Sequence, residues 1–340
     1  MRLSRSKVSG PGIVRKRRGK GFSYYGPDGE LLADDETAQR IKDLVIPPAW
    51  KNVWISTKPS GHIQAVGTDV AGRRQYLYHE KWQQERAEEK FDRVLEMSVR
   101  LPEWRAQIAK DLSKRGLERE RVLALALQLL DRGYFRAGGE QSAEEFEHYG
   151  LATLLCEHVT VRKGAVMFEY PAKSGVQRSL EIEDPEVVRA VRSLMRREGR
   201  SDRLLVCRGA TNGAWVDVHA NDLNARFKEL VGDEYTVKDL RTWHGTVLAA
   251  AAFADAKEPT SKTRVKKETS AVMKEVSEEL GNTPAVARSS YVDPRLVDGY
   301  AQGMTIKAAV RRAEKAKDPD ASQAILEKAT RTLIRRVARG

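Results

Sequence analysis

The sequence predicts an α+β protein of two parts. A small antiparallel β-rich N-terminal domain spans residues 1–90, and a mostly α-helical domain with a β-hairpin or three-stranded sheet of its own spans 91–340. Three observations predict this. Short β-branched and aromatic runs, separated by Pro/Gly turns, crowd the first part of the chain. Apolar residues at helical spacing begin near Lys90 and recur towards the C-terminus. The 340 residues also exceed what a single core usually holds.

Residues 1–20 contain Arg2, Arg5, Lys7, Arg15, Lys16, Arg17, Arg18 and Lys20 with no acid, and read as a solvated basic arm. Phe22 to Tyr25 reads as a strand entering the turn Gly26-Pro27-Asp28-Gly29. Asp34 to Leu44 reads as a short helix, ended by Ile46-Pro47-Pro48. Val53-Trp54-Ile55, Ile63 to Gly67 and Gln75 to His79 supply further strands, with turns at Pro59-Ser60-Gly61 and Ala71-Gly72.

In the second part, Phe91, Val94, Leu95, Met97, Ser98 and Leu101 mark a helix that Pro102 is expected to end or kink. Arg121 to Leu130 is apolar all round and reads as a central buried helix. Val161, Val166 to Tyr170 and Val176 to Leu180 alternate like strands, with Lys173 on the turn Pro171-Ala172-Lys173-Ser174-Gly175. Asp184-Pro185-Glu186 opens a helix. Helices are expected over Val216 to Leu230, Leu240 to Ala256 and Thr260 to Leu280, and a basic helical tail follows Lys307.

Charge narrows the function. Lys and Arg total 60 against 48 Asp and Glu, a formal net charge of +12. That excess favours a polyanionic partner, nucleic acid first. A hydrophobic content of 41% supports a real core rather than a disordered basic chain. Cys156 and Cys207 form neither a CxxC pair nor a disulfide framework, which fits a reducing compartment. The six histidines have no metal-ligand spacing, so no metal is expected. No apolar run is long enough for a membrane span, and no signal-peptide core opens the chain. A cytoplasmic, nucleoid-associated location is expected.

Several motifs carry chemistry. Gly72-Arg73-Arg74-Gln75-Tyr76-Leu77-Tyr78 sets guanidiniums beside amide and phenol groups, a mixture suited to phosphate and base-edge contacts. Alternation puts Gln75, Leu77 and His79 on one face and Tyr76 and Tyr78 on the other. Arg136 follows in Phe135-Arg136-Ala137-Gly138, then Lys173, then Arg241 in Lys238-Asp239-Leu240-Arg241-Thr242. Attack on a phosphodiester builds negative charge on the nonbridging oxygens, which guanidinium forks answer bidentately. A phenol with pKa ~10 becomes a nucleophile only when its developing anion is stabilised. Asn282-Thr283-Pro284 reads as a helix N-cap with proline in the first turn, which places Tyr291 about two and a half turns on.

In this order, the motifs resemble the active site of the type IB DNA topoisomerases, in the compact form found in poxviruses and bacteria. The resemblance covers nearly the whole chain, and residues 72–78 match that family's GRxQYxY signature. It implies a two-domain clamp on duplex DNA, acting as a monomer without ATP, metal or cofactor. Tyr291 would attack one strand to give a 3′-phosphotyrosine and a free 5′ hydroxyl. Arg136, Arg241 and Asn282 would stabilise the pentacoordinate phosphorus, and Lys173 would protonate the departing oxygen. Arg73, Arg74, Gln75, Tyr76, Tyr78 and Lys238 would contact DNA.

There are two departures. Asn282 stands where poxviral members carry histidine, so it can donate a hydrogen bond but not act as a general acid. Ala172 stands where the common pattern has glycine before the lysine. The tyrosine recombinases share the Arg…Lys…Arg…Tyr logic, but they place histidine where this chain has Lys238 and rarely carry such an N-terminal sheet. A DNA-binding protein without catalysis would require this set of five to be accidental or degenerate.

Overall fold

The computed structural model describes residues 2–198, 201–209 and 213–339. The chain divides into two units, Met1–Phe91 and Asp92–Gly340.

The first unit is built on an antiparallel sheet with strand order β2-β1-β3-β4-β5. Its strands are β1 (Ile13–Arg18), β2 (Gly21–Tyr25), β3 (Lys51–Ile55), β4 (Ile63–Thr68) and β5 (Arg74–Tyr78). β1 corrects the reading of residues 1–20 as a solvated arm. It is an inner strand, paired with β2 from Val14↔Tyr25 to Arg18↔Gly21 and with β3 at Ile13↔Ile55. The run of cations hid a period of two: Ile13 and Arg15 face inward while Val14 and Lys16 face out.

Arg15 is buried because acceptors wait for it. Its guanidinium donates to the carbonyls of Ile46 (3.3 Å), Pro47 (3.1 Å) and Trp50 (2.7 Å), in a proline-rich loop that makes no ladder of its own. The helix α1 (Asp35–Asp43) is capped by Asp34, whose carboxylate accepts from the Thr37 N–H at 2.9 Å. α1 sets Ile41 against Ile13, Val53, Ile55 and Ala65 on one face of the sheet.

α2 (Glu80–Leu112) starts in the first unit and runs into the second. Pro102 lies inside α2 and does not end it. Proline cannot donate to the Ser98 carbonyl one turn back. Arg331 supplies that donor instead, at 3.1 Å.

The second unit is organised around two buried helices, α3 (Arg119–Gly133) and α7 (Val237–Asp255), both apolar nearly all round. Around them run α4 (Glu140–Phe146), α5 (Pro185–Met195), α6 (Ala220–Val231) and α8 (Lys262–Leu280). A three-stranded antiparallel sheet, β6 (Val159–Val161), β7 (Val166–Pro171) and β8 (Gln177–Ile182), packs Phe168 and Tyr170 into the same core.

The helix expected from Val216 begins later. Val216 belongs to β10 (Trp215–Asp217), paired with β9 (Val206–Arg208), and α6 starts only after His219. The Asp222 carboxylate accepts the His219 N–H at 2.8 Å and fixes that start. After α8 come α9 (Pro284–Val286), α10 (Arg295–Ala301), α11 (Lys307–Ala313) and α12 (Pro319–Val337). The basic tail is thus folded: Leu333 and Ile334 of α12 are buried in the core shared with α7.

Candidate active site

α8 ends in a Schellman arrangement. Gly281 takes φ +58, its N–H donates to Glu278 O at 3.1 Å, and the Asn282 N–H donates to Ser277 O at 2.9 Å. Carbonyls of the last turn remain open to outside donors. Three arginines supply them.

Arg136, in the irregular stretch after α3, donates to Gly281 O at 2.9 Å. Arg241, near the start of α7, donates to Leu280 O and to Tyr134 O. Arg178, on β8, donates to Glu279 O at 2.8 Å and Glu278 O at 3.3 Å, and reaches Gly133 O at 3.4 Å. Among the described residues, none of the three is ion-paired with a carboxylate. The negative end of a helix dipole gathers these like charges without cancelling them. Burial, then the neighbouring Arg136, pushes the Arg241 guanidinium below the ordinary arginine range. Burial lowers Arg136 as well.

Tyr291 closes a π-helical turn, Ala287–Tyr291, and its ring centroid lies 5.2 Å from Cζ of Arg241. Its main chain sits on α7. The Thr246 hydroxyl donates to Tyr291 O at 3.1 Å and accepts the Asp293 N–H at 3.2 Å. Gly245 permits the approach, because a Cβ there would stand 2.8 Å from Tyr291 O and 2.9 Å from Tyr291 Cβ.

The cap of this segment is Thr283 rather than Asn282. The Thr283 hydroxyl accepts the Val286 N–H at 3.3 Å, with Pro284 in the first turn. Asn282 is already engaged through its backbone in ending α8, which moves the cap one residue on. Its side-chain Oδ1 and Nδ2 are both buried without a hydrogen-bond partner.

Arg136, Arg241, Tyr291 and Lys238 line one cleft of ≈ 480 Å³, with Lys228 of α6 beside them. Lys173 does not line it. Lys173 is exposed, on the single 3₁₀ turn Lys173–Gly175 between β7 and β8. Ala172 costs this turn nothing, because it is extended (φ −91°, ψ −175°) and Gly175 supplies the positive φ of +71.

In the first unit the 72–78 segment divides. Arg74, Tyr76 and Tyr78 point outward, with the two phenol rings stacked at 6.0 Å and Arg74 Cζ 5.8 Å from Tyr76. Arg73 and Gln75 are tied to the hairpin turn. Arg73 Nε (3.1 Å) and Gln75 Nε2 (2.9 Å) both donate to Asp69 Oδ2.

A second charged cluster occupies the core. Arg105 of α2 donates to Asp131 (2.7 and 3.0 Å) and to Glu327 of α12 (3.0 and 2.8 Å). His244 Nε2 lies 2.9 Å from Asp131 Oδ1. Burial pushes the Asp131 carboxyl up, but Arg105 and His244 more than offset this and hold it well below the usual carboxylate range. The His244 ring also packs on Tyr134, at 4.9 Å.

Sequence reasoning missed Arg178 and Lys228. The only signal was a basic residue in a strand and another on a helix, which any surface element carries. The arrangement can hold a tetrahedral or pentacoordinate oxyanion against two guanidiniums with a phenol alongside.

Comparison with known proteins places the chain among relatives. Residues 79–317 match the family description "Eukaryotic DNA topoisomerase I, catalytic core", and residues 21–69 match "Bacterial DNA topoisomerase IB, N-terminal domain". Residues 70–78 lie between the two matches. The chain is 32% identical over 287 residues to DNA topoisomerase 1B of Acanthamoeba polyphaga mimivirus, covering 83% of this chain and 85% of that protein. It is 26% identical over 118 residues to DNA topoisomerase 1 of Mycosarcoma maydis, covering 34% of this chain and 12% of that one.

Proposed function

Because the chain belongs to the type IB DNA topoisomerase family, we propose that it relaxes supercoiled duplex DNA by transient cleavage of one strand at Tyr291, without ATP or metal. The observation that carries this reading is the common cleft of Arg136, Arg241 and Tyr291.

Tyr291 Oη bonds to phosphorus as its phenolic proton passes to water. The bond from phosphorus to the 5′ oxygen breaks, and the Lys173 ammonium gives that oxygen a proton. Arg136 and Arg241 meet the charge on the nonbridging oxygens, and the unpartnered Asn282 amide adds a donor. The strand with the free 5′ hydroxyl rotates and then attacks the phosphotyrosine. That ester retains the free energy of the phosphodiester, so rejoining needs no nucleotide. The chain acts as a monomer, with residues 1–90 as a DNA-binding domain that adds contacts through Arg73, Arg74, Gln75, Tyr76 and Tyr78, and with Lys238 contacting DNA beside the cleft.

The test is relaxation of positively and negatively supercoiled plasmid in EDTA without ATP. The wild-type chain should relax both, and Tyr291→Phe neither, with noncovalent affinity for DNA retained. Relaxation by Tyr291→Phe would assign the nucleophile to another residue.

A further inference from the structure

From the hairpin that carries Lys173, the Arg178 guanidinium reaches the two segments that lead into the other site residues. In the β7–β8 register Arg178 pairs with Tyr170 at the base of the turn. From there its guanidinium reaches Glu278 O and Glu279 O on the last turn of α8, and Gly133 O at the end of α3. Both ends lead straight into site segments. α3 runs on to Arg136, and α8 runs on through Gly281 and Asn282 towards Tyr291. Arg178 also passes close under the α8 terminator: a Cβ on Gly281 would meet Arg178 Cδ at 2.8 Å and Nη1 at 3.1 Å.

The strands below do not need this contact. Phe168, Tyr170 and Ile182 are buried in the main core, and Tyr149 N–H donates to Pro171 O at 2.8 Å. Lys173 and Gly175 of the turn are exposed. The guanidinium therefore governs where the tip of the hairpin stands rather than whether the sheet forms. Only a fork of several N–H groups can span carbonyls from two helix ends at once.

We propose that Arg178 is a positioning residue, which docks the Lys173 hairpin onto the α8 terminus and so sets Lys173 against the scissile 5′ oxygen. This rests on the reading of Lys173 as the proton donor. A donor held slightly out of place loses much of its effect, on the order of 10²-fold for a displacement of about 1 Å.

The experiment is single-turnover formation of the covalent adduct on two duplexes, one with an ordinary scissile phosphodiester and one whose 5′ bridging oxygen is sulfur. A thiolate leaves without protonation, its conjugate acid having a pKa of only ~8.5, so the sulfur duplex bypasses the acid. Arg178→Ala should be slowed roughly 10–10²-fold on the oxygen duplex and fall within about threefold of wild type on the sulfur duplex. Arg178→Lys, which keeps the charge and an ammonium donor but not the fork, should lie between Arg178→Ala and wild type on oxygen. Thermal unfolding and noncovalent affinity should stay near wild type for both.

An equal deficit on oxygen and sulfur overturns the proposal, because the defect would then lie in phosphate binding or in Arg136 and Arg241. Wild-type rates on both duplexes overturn it as well. Lys173→Ala, run in parallel, separates the two readings. If Lys173→Ala recovers on sulfur and Arg178→Ala does not, only the role of Arg178 falls. If Lys173→Ala fails to recover, the proton donor lies elsewhere and both readings fall.

Discussion

The two arginine clusters of the second unit are built from the same side chain and differ in their partners. At the end of α8, Arg136, Arg178 and Arg241 are held by backbone carbonyls. In the core, Arg105 is held by the carboxylates of Asp131 and Glu327, with His244 completing the group. Carboxylates orient a guanidinium and cancel its charge. Carbonyls orient it and leave the charge in place. The carboxylate arrangement stabilises a fold, while the carbonyl arrangement leaves the charge of Arg136 and Arg241 uncancelled at the cleft and uses Arg178 to tie segments together.

Breaking the core cluster should have the largest effect on stability and little on chemistry. Asp131→Ala removes two charge-assisted hydrogen bonds from Arg105, which keeps only Glu327, and takes the carboxylate from His244 Nε2, and should cost about 3–5 kcal/mol in urea unfolding. Cleavage per folded molecule should remain within several-fold of wild type. A larger loss of rate than of stability would erase the contrast between the clusters.

The same contrast predicts a pH dependence. The Asp131 carboxyl is held below its ordinary value in the folded chain. Its contribution is therefore complete above the unfolded carboxylate pKa of ~3.9 and declines as pH falls below it. The stability gap between wild type and Asp131→Asn should be full at neutral pH and narrow below about pH 4. A gap that widens with acid would reverse the sign.

Arg241→Ala should show the opposite pattern. Loss of one oxyanion donor slows catalysis by about 10²–10³-fold. From the fold the substitution removes two hydrogen bonds to the Tyr134 and Leu280 carbonyls, about 1–3 kcal/mol together, and the contact with the Tyr291 ring, and it strands no buried carboxylate. Adduct formation beside urea unfolding checks both numbers.

Gly245→Ala should cost less, about 1–3 kcal/mol by overpacking against Tyr291, and should slow cleavage through the tyrosine's displacement. The smallest effect belongs to Tyr76→Ala with Tyr78→Ala, which should weaken DNA affinity a few-fold while the bound complex cleaves at the wild-type rate. Loss of that rate would tie the outer sheet face to the chemistry.

Much of this architecture was legible in the chain. The Asp34 cap, the turns around Pro27 and Gly72, and the apolar run from Val122 were local signals, and the structure has α1, the strand hairpins and α3 where those signals fall. Signals were lost where partners lie far away in sequence. β1 was hidden because Arg15 is satisfied by carbonyls 31 to 35 residues on. That Pro102 would not end α2 was hidden in the same way, because its replacement donor, Arg331, is 233 residues from Ser98. In the site, Arg136, Arg241 and Tyr291 stood in recognisable local contexts. Arg178 did not, since its acceptors lie 45 and 100 residues away. The capping role passed from Asn282 to Thr283 because the Schellman closure of α8 had already claimed the Asn282 backbone.

The seating of Tyr291 on α7 has a mechanical side. During relaxation the tyrosine would be the tether of a DNA end under torsion, and load on the phosphate would pass through its side chain into the backbone. That backbone is clasped by the Thr246 hydroxyl and pressed against Gly245, in the middle of the most deeply buried helix of the unit. A pull on the phenol is thus borne by α7 rather than by the short turn from Pro284. With the anchored end fixed, the turning would have to occur in the free strand, and the rejoining attack would find the phosphorus where it was left.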